Sequence, residues 1–161
     1  MLASYPQAAA ATRFRILQYG DALSDRGIDI DFSPFMDDLA FTEHYNRGGL
    51  IDKSIYVIER SAFRLREALL ANNYDAVFIQ REASFFGPAF TERILHARTR
   101  WPIIFDFDDA IWKLDLPRSR RPLLAKLAKR TTKCWKTMQR AHVVLAGSNA
   151  SASARGKRTR T

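Results

Sequence analysis

The sequence predicts an α/β fold, a Rossmann-like parallel sheet with helices on both faces. Short apolar runs at 76–79, 103–107 and 143–146 are bounded by turn residues and read as buried strands. Between them lie stretches of helical length whose apolar residues recur every three or four positions. Such runs belong to strands covered on both faces, and helical crossovers join parallel strands.

In chain order, residues 12–26 read as a helix with Ile16, Tyr19 and Leu23 on one face, stopped by Gly27. Ile28, Ile30 and Phe32 alternate with Asp29 and Asp31, a short strand that Pro34 ends. Residues 35–49 read as irregular, with one helical turn, and Gly48-Gly49 breaks them. Asp52 then caps a long helix in which Ile55, Ile58, Ala62, Leu65 and Leu69 fall at alternating three and four spacings. Asn72-Asn73 closes it. After the strand at 76–79, Gly87-Pro88 opens a helix carrying Phe90, Ile94 and Leu95. A basic helix runs from Arg118 to Arg140, with Leu124, Leu127, Thr131, Cys134 or Trp135, and Met138 on one side. That makes four strands, with 1–5 as a stub of a fifth and the first strand incomplete. Residues 150–161, rich in Ser, Ala, Arg and Lys, have nothing to bury and read as a disordered basic tail.

At 161 residues the chain is one domain's worth, long enough for a core. No apolar run approaches bilayer-spanning length, and the first residues lack the regions of a secretory signal. A single cysteine, Cys134, excludes an internal disulfide and a cysteine metal cluster. The expected location is therefore cytoplasmic. The net charge of +9 is unevenly placed: thirteen of the 26 Lys and Arg, and none of the 17 Asp and Glu, lie beyond residue 116. An anionic partner, or plain solvation, would account for that asymmetry.

The strongest chemical signal is Ile103 to Trp112, I-I-F-D-F-D-D-A-I-W, an apolar strand ending in Asp106, Asp108 and Asp109. Ligands of open α/β sheets bind outside the carboxyl ends of the strands. Crowded carboxylates there can raise one another's pKa or recruit a cation. The plain alternative is one helix-capping Asp beside two solvated ones.

The segments T-R-F-R-I-L-Q-Y, I-D-F-S-P-F, Y-D-A-V-F-I-Q-R-E and P-I-I-F-D-F-D-D-A-I-W resemble, in that order, the N-terminal domain of bacterial GT-B glycosyltransferases, nearest to the retaining family 4 group. H-V-V-L-A-G-S-N fits the strand before the crossover to a second domain. The resemblance spans roughly residues 3–149. It implies half of a GT-B fold: residues 1–149 as the acceptor-binding domain, with the nucleotide-sugar bound by a second domain that would begin after Ser148-Asn149. On this reading the chain is a truncated copy, inactive alone, with no cofactor or metal of its own. The acceptor would be a glycan or a lipid-linked glycan.

By the same resemblance, Asp108 and Asp109 would orient or polarise the acceptor hydroxyl, and Asp106 would support the turn. Arg81 and Glu82, at the end of the neighbouring strand, would face the same cleft, with Arg81 holding an acceptor phosphate or carboxylate or else forming an ion pair. Arg13 and Arg15 would line the cleft or be solvated on their helix. Two other classes stay open. A haloacid-dehalogenase-like phosphatase would use Asp106 as nucleophile and Asp108 as acid/base beside magnesium, but no Asp or Glu follows Asp115 to complete the metal site. The Arg118–Arg140 helix would expose Lys126, Lys129, Arg130, Lys133 and Lys136 to solvent or to an anionic membrane surface, making the protein peripheral at the inner face. No motif for specific nucleic-acid binding is present, so a basic nucleic-acid module ranks below these. His44, His96 and His142 lack metal-ligand spacing.

Overall fold

Five parallel strands form one sheet in the order β2-β1-β3-β4-β5 in a computed structural model that describes residues 1–43, 49–84, 90–107 and 130–147. The strands are β1 (Leu2–Ala3), β2 (Ser33–Pro34), β3 (Val77–Gln80), β4 (Ile103–Phe107) and β5 (Val143–Ala146). The described helices are α1 (Ala10–Arg15), α2 (Gly20–Ser24), α3 (Asp38–Glu43), α4 (Leu50–Leu69), α5 (Phe90–Arg98) and α6 (Arg130–Arg140). None of the described helices is long and apolar enough to cross a membrane.

The period-two alternation of strands sorts β4 onto two faces. Ile103, Phe105 and Phe107 enter the core with Val77, Ile79, Leu95, Cys134 and Met138. The Phe105 and Phe107 rings lie 5.5 Å apart. Each fully buried side chain of this size stabilises the fold by about 1.5–3 kcal/mol before entropy is counted. The opposite face of the same strands is more polar. Gln80 pairs in register with Asp106, and both are met by α1.

The first helix is divided where one was expected over 12–26. Ile16 has φ −145, which ends α1, and a 3-10 turn at Leu17–Tyr19 leads into α2. Gly27 stops α2 as expected, at φ 74. Its N–H donates to Ser24 O at 2.8 Å and Ile28 N–H to Leu23 O at 3.0 Å, the bond pair of a Schellman cap.

Two strand expectations need correction. Residues 28–32 form no ladder; the strand is Ser33–Pro34, and Pro34 sits inside it. The sheet accepts proline there because β2 is an edge, and its bonds come from Ser33 N–H to Met1 O (2.9 Å) and Phe35 N–H to Ala3 O (2.8 Å). The short β1 is a central strand, flanked by β2 and β3.

Helix α4 begins at N-cap Gly49, and Asp52 is not the cap but the third helical residue, accepting the Gly49 N–H at 2.9 Å. The expected apolar stripe does not face the sheet. Ile55 and Ile58 are 51% and 68% exposed, whereas Arg64 and Ala68 are buried. The physical reason lies in β1 and β2, whose carbonyls need donors. Arg64 reaches Ser33 O and Ala3 O, each at 3.2 Å, and Arg60 reaches Phe35 O at 2.7 Å and also Pro34 O. Two guanidinium forks thus turn the helix and send its apolar stripe outward. Burial pulls the Arg64 pKa down to about 10, opposed by Glu67. After α4, Asn72 ties the end of α5 in place, donating to Arg98 O and accepting from Arg100 N–H.

Candidate functional site

The carboxyl ends of β1, β3 and β4 meet beside the β1/β3 junction, the switch point of this strand order and the place where open α/β sheets bind ligands. Four of the seven anticipated site residues have their backbone or side chain at this edge.

Asp106 points from β4 toward α1 and is 2% exposed. Arg15, the last residue of α1, grips both of its oxygens, with Nε to Oδ2 at 3.0 Å and Nη2 to Oδ1. A bidentate fork holds both charges in one plane. Next to it on β3, Gln80 donates Nε2 to Ala11 O at 2.8 Å, and its buried Oε1 meets no donor among the described residues. A buried acceptor in that state costs about 1–3 kcal/mol unless something completes it.

Arg81 follows in a positive-φ conformation, φ 63. Glu82 N–H donates to Gln80 O at 2.8 Å, so Arg81 is the centre of a γ-turn, a tight and strained geometry for a side-chain-bearing residue. Its own N–H donates to Asp106 O at 2.8 Å, and its guanidinium lies 5.9 Å from the Tyr5 ring centroid. Strain of this kind concentrates at functional sites. Ser4 Oγ donates to Glu82 O at 3.0 Å and Thr12 Oγ1 to Tyr5 O at 3.2 Å, which closes the turn after β1 on itself. Residues 4–9 contain no glycine, so that turn lacks the fingerprint that cradles a dinucleotide pyrophosphate.

Glu82 is buried at the same strand end. Its carboxylate is close enough to Cys134, on the α6 side of the sheet, to help raise the thiol, which burial pushes up to about 12. A second buried set lies there. Lys133 Nζ donates to Ser84 O and to Ser84 Oγ at 3.0 Å, and approaches Glu92 Oε1 at 3.5 Å. Glu92 Oε1 also accepts Ala83 N–H at 3.3 Å. Lys133 was expected in solvent; it is 3% exposed because Ser84 and Glu92 supply the partners a buried ammonium requires. Thr137 and Ala141, one and two turns on and likewise buried, were the sequence signal that this face turns inward. Phe90, the first residue of α5, is 55% exposed.

Arg13 is not part of the cluster. It is exposed and donates to Ala8 O at 2.7 Å, which holds the loop before its own helix. His96 is exposed, and His142 accepts the Ile103 N–H through Nδ1 at 3.0 Å. Among the described residues no group of three His, Cys, Asp or Glu can hold a metal ion. Asp108 and Asp109, residues 118–129 of the basic stretch, His44, Gly87-Pro88, Ser148-Asn149 and the 150–161 tail lie outside the described residues.

Chemically, the arrangement positions and binds. A carboxylate clamped through both oxygens by a guanidinium is a weaker nucleophile, since the two charge-assisted hydrogen bonds stabilise its negative charge. Planar amide, carboxylate and guanidinium groups at a strand edge instead suit hydroxyl-rich ligands. No protein-family model, curated protein or solved structure matches the chain.

Proposed function

We propose that this chain is the acceptor-binding half of a GT-B glycosyltransferase, family 4-like, forming one wall of the cleft in which a sugar passes from a nucleotide-sugar to an acceptor. The observation that carries the reading is the Arg15–Asp106 clamp beside Gln80 and the strained Arg81, at the switch point of a parallel sheet. The glycine-free turn after β1 favours an acceptor over a nucleotide on this side.

In this proposal Asp106 orients Arg15, and Gln80 Oε1 accepts a hydrogen bond from a glycan hydroxyl. Asp108 and Asp109, two and three residues along the chain, polarise the accepting hydroxyl. Stabilisation of the leaving diphosphate belongs to a facing donor domain. The acceptor is a glycan or lipid-linked glycan, met in the cytoplasm or at the inner membrane face.

The test is binding of the purified chain to a panel of bacterial oligosaccharides and short-chain prenyl-diphosphate-linked sugars. Binding of at least one of them, weakened by Arg15→Ala and by Asp108→Asn, is expected, with no nucleotide-sugar turnover. Turnover of a nucleotide-sugar by the chain alone, or magnesium-dependent phosphatase activity lost in Asp106→Asn, would overturn the proposal.

A further inference from the structure

The apolar stripe of α4 has no cover. Ile51, Ile55, Ile58 and Leu69 are 75%, 51%, 68% and 48% exposed, Ala62 is exposed and Leu65 is partly buried. Scattered exposed leucines need no explanation, but six apolar positions in one line along a single helix do. They are separated by four, three, four, three and four residues, the a/d repeat of a coiled-coil seam rather than the broader stripe of a helix lying on a sheet. The face that does lie on the sheet is built from Arg60, Arg64 and Ala68. The stripe is therefore a second contact surface, opposite the first.

We propose that this seam is closed by α4 of a second copy, packed antiparallel about a two-fold axis near residue 60. The spacing itself selects that partner. The series reads the same in both directions, so one antiparallel register fills every layer: Ile51 against Leu69, Ile55 against Leu65 and Ile58 against Ala62, each twice. A self-complementary patch of this kind is what a two-fold interface requires. The edges agree. Asp52, Glu59 and Arg66 follow one side at seven-residue intervals, so the same register sets Asp52 of each copy near Arg66 of the other. Ser54 and Ser61, on the other side, are small and uncharged. A helix of twenty residues is about 30 Å long. Pairing two along that length removes roughly 1,000 Å² from water, the lower bound for a specific interface. The association is thus weak and reversible.

An anionic membrane is a poorer fit. Lipid-facing helices flank their apolar stripe with Lys and Arg, whereas two of the three charges on this edge are acidic.

Sedimentation equilibrium of the full chain, from about 1 to 100 μM, should show a monomer–dimer equilibrium. Ile58→Glu should raise the dissociation constant by about a hundredfold, with unchanged far-UV circular dichroism and, at concentrations where both chains are monomeric, an unchanged melting temperature, because the position is solvent-exposed in the monomer. Glu59→Gln should tighten it, since Glu59 meets its own copy near the axis. An equimolar mixture of Ile51→Cys and Leu69→Cys chains should form a disulfide dimer on oxidation, and neither variant alone should do so. A chain monomeric throughout overturns the proposal. So does a dimer indifferent to Ile58→Glu, or self-crosslinking by Ile51→Cys alone, which signals a parallel seam. Binding to vesicles containing anionic phosphatidylglycerol that Ile58→Glu abolishes, in a chain that stays monomeric, assigns the surface to lipid and also overturns it.

Discussion

Arg15 clasps Asp106 across 91 residues of sequence, joining the end of the first helix to the end of the fourth strand through both carboxylate oxygens. The two partners are not equivalent, since the Arg15 side chain is 26% exposed and that of Asp106 3%.

That asymmetry sets an order of effects. Arg15→Ala strands a buried carboxylate and should cost about 2–4 kcal/mol, less than a fully buried pair because water reaches Arg15. Asp106→Asn leaves a guanidinium able to turn toward water and should cost about 1–2 kcal/mol. Urea denaturation of both variants checks the order. Equal losses would mean that the pair does not act as an asymmetric clamp.

Arg81 sits where a side chain is strained, at φ 63. Arg81→Gly should stay within about 1 kcal/mol of the parent, as relief of strain offsets the lost contact with Tyr5. Arg81→Val should cost about 2 kcal/mol or more, because a β-branched residue resists positive φ. Thermal melts of the two variants, read together, separate backbone strain from side-chain contact.

Lys133 and Glu92 form a pair buried on both sides. Lys133→Met should destabilise by about 3–5 kcal/mol by leaving Glu92 without its counter-ion. Adding Glu92→Gln should restore a large part of that loss. A double-mutant cycle measures the coupling, and additive losses would refute it.

Cys134 supplies a pH dependence. Its thiol rises from 9.0 to about 12 through burial and then the Glu82 charge. A raised folded-state pKa means that the stabilising neutral thiol is fully present below pH 9 and lost as pH climbs toward 12. The stability gap between the parent and Cys134→Ala should therefore shrink from about pH 8 to about pH 11, as urea melts would report. Native Cys134 should also react slowly with disulfide reagents until the chain unfolds.

Features that depend on short-range pattern were legible before any tertiary contact was known. The apolar runs of β3 and β4 were legible because a strand covered on both faces needs nearly every side chain apolar, whereas β5, equally apolar in sequence, lies at the sheet edge with Val143 and Leu145 exposed. Gly27 was legible because a helix C-cap at positive φ favours glycine. The acids at the end of β4 announced the candidate site for the same local reason, and Asp106 stands within it. Tertiary structure alone decided the orientation of α4, the burial of Lys133 and the partner of Asp106. In α4 periodicity marked the apolar stripe correctly, but the strand-end carbonyls at Ala3 and Ser33 drew Arg64 inward and turned that stripe to solvent. Lys133 looked like one more solvated charge until Ser84 and Glu92, brought from distant segments, supplied what a buried ammonium needs. Arg15 carried no mark distinguishing it from Arg13, two residues earlier. Only the sheet, by placing Asp106 beside one and not the other, chose between them, because an ion pair is specified by where two charges meet in space.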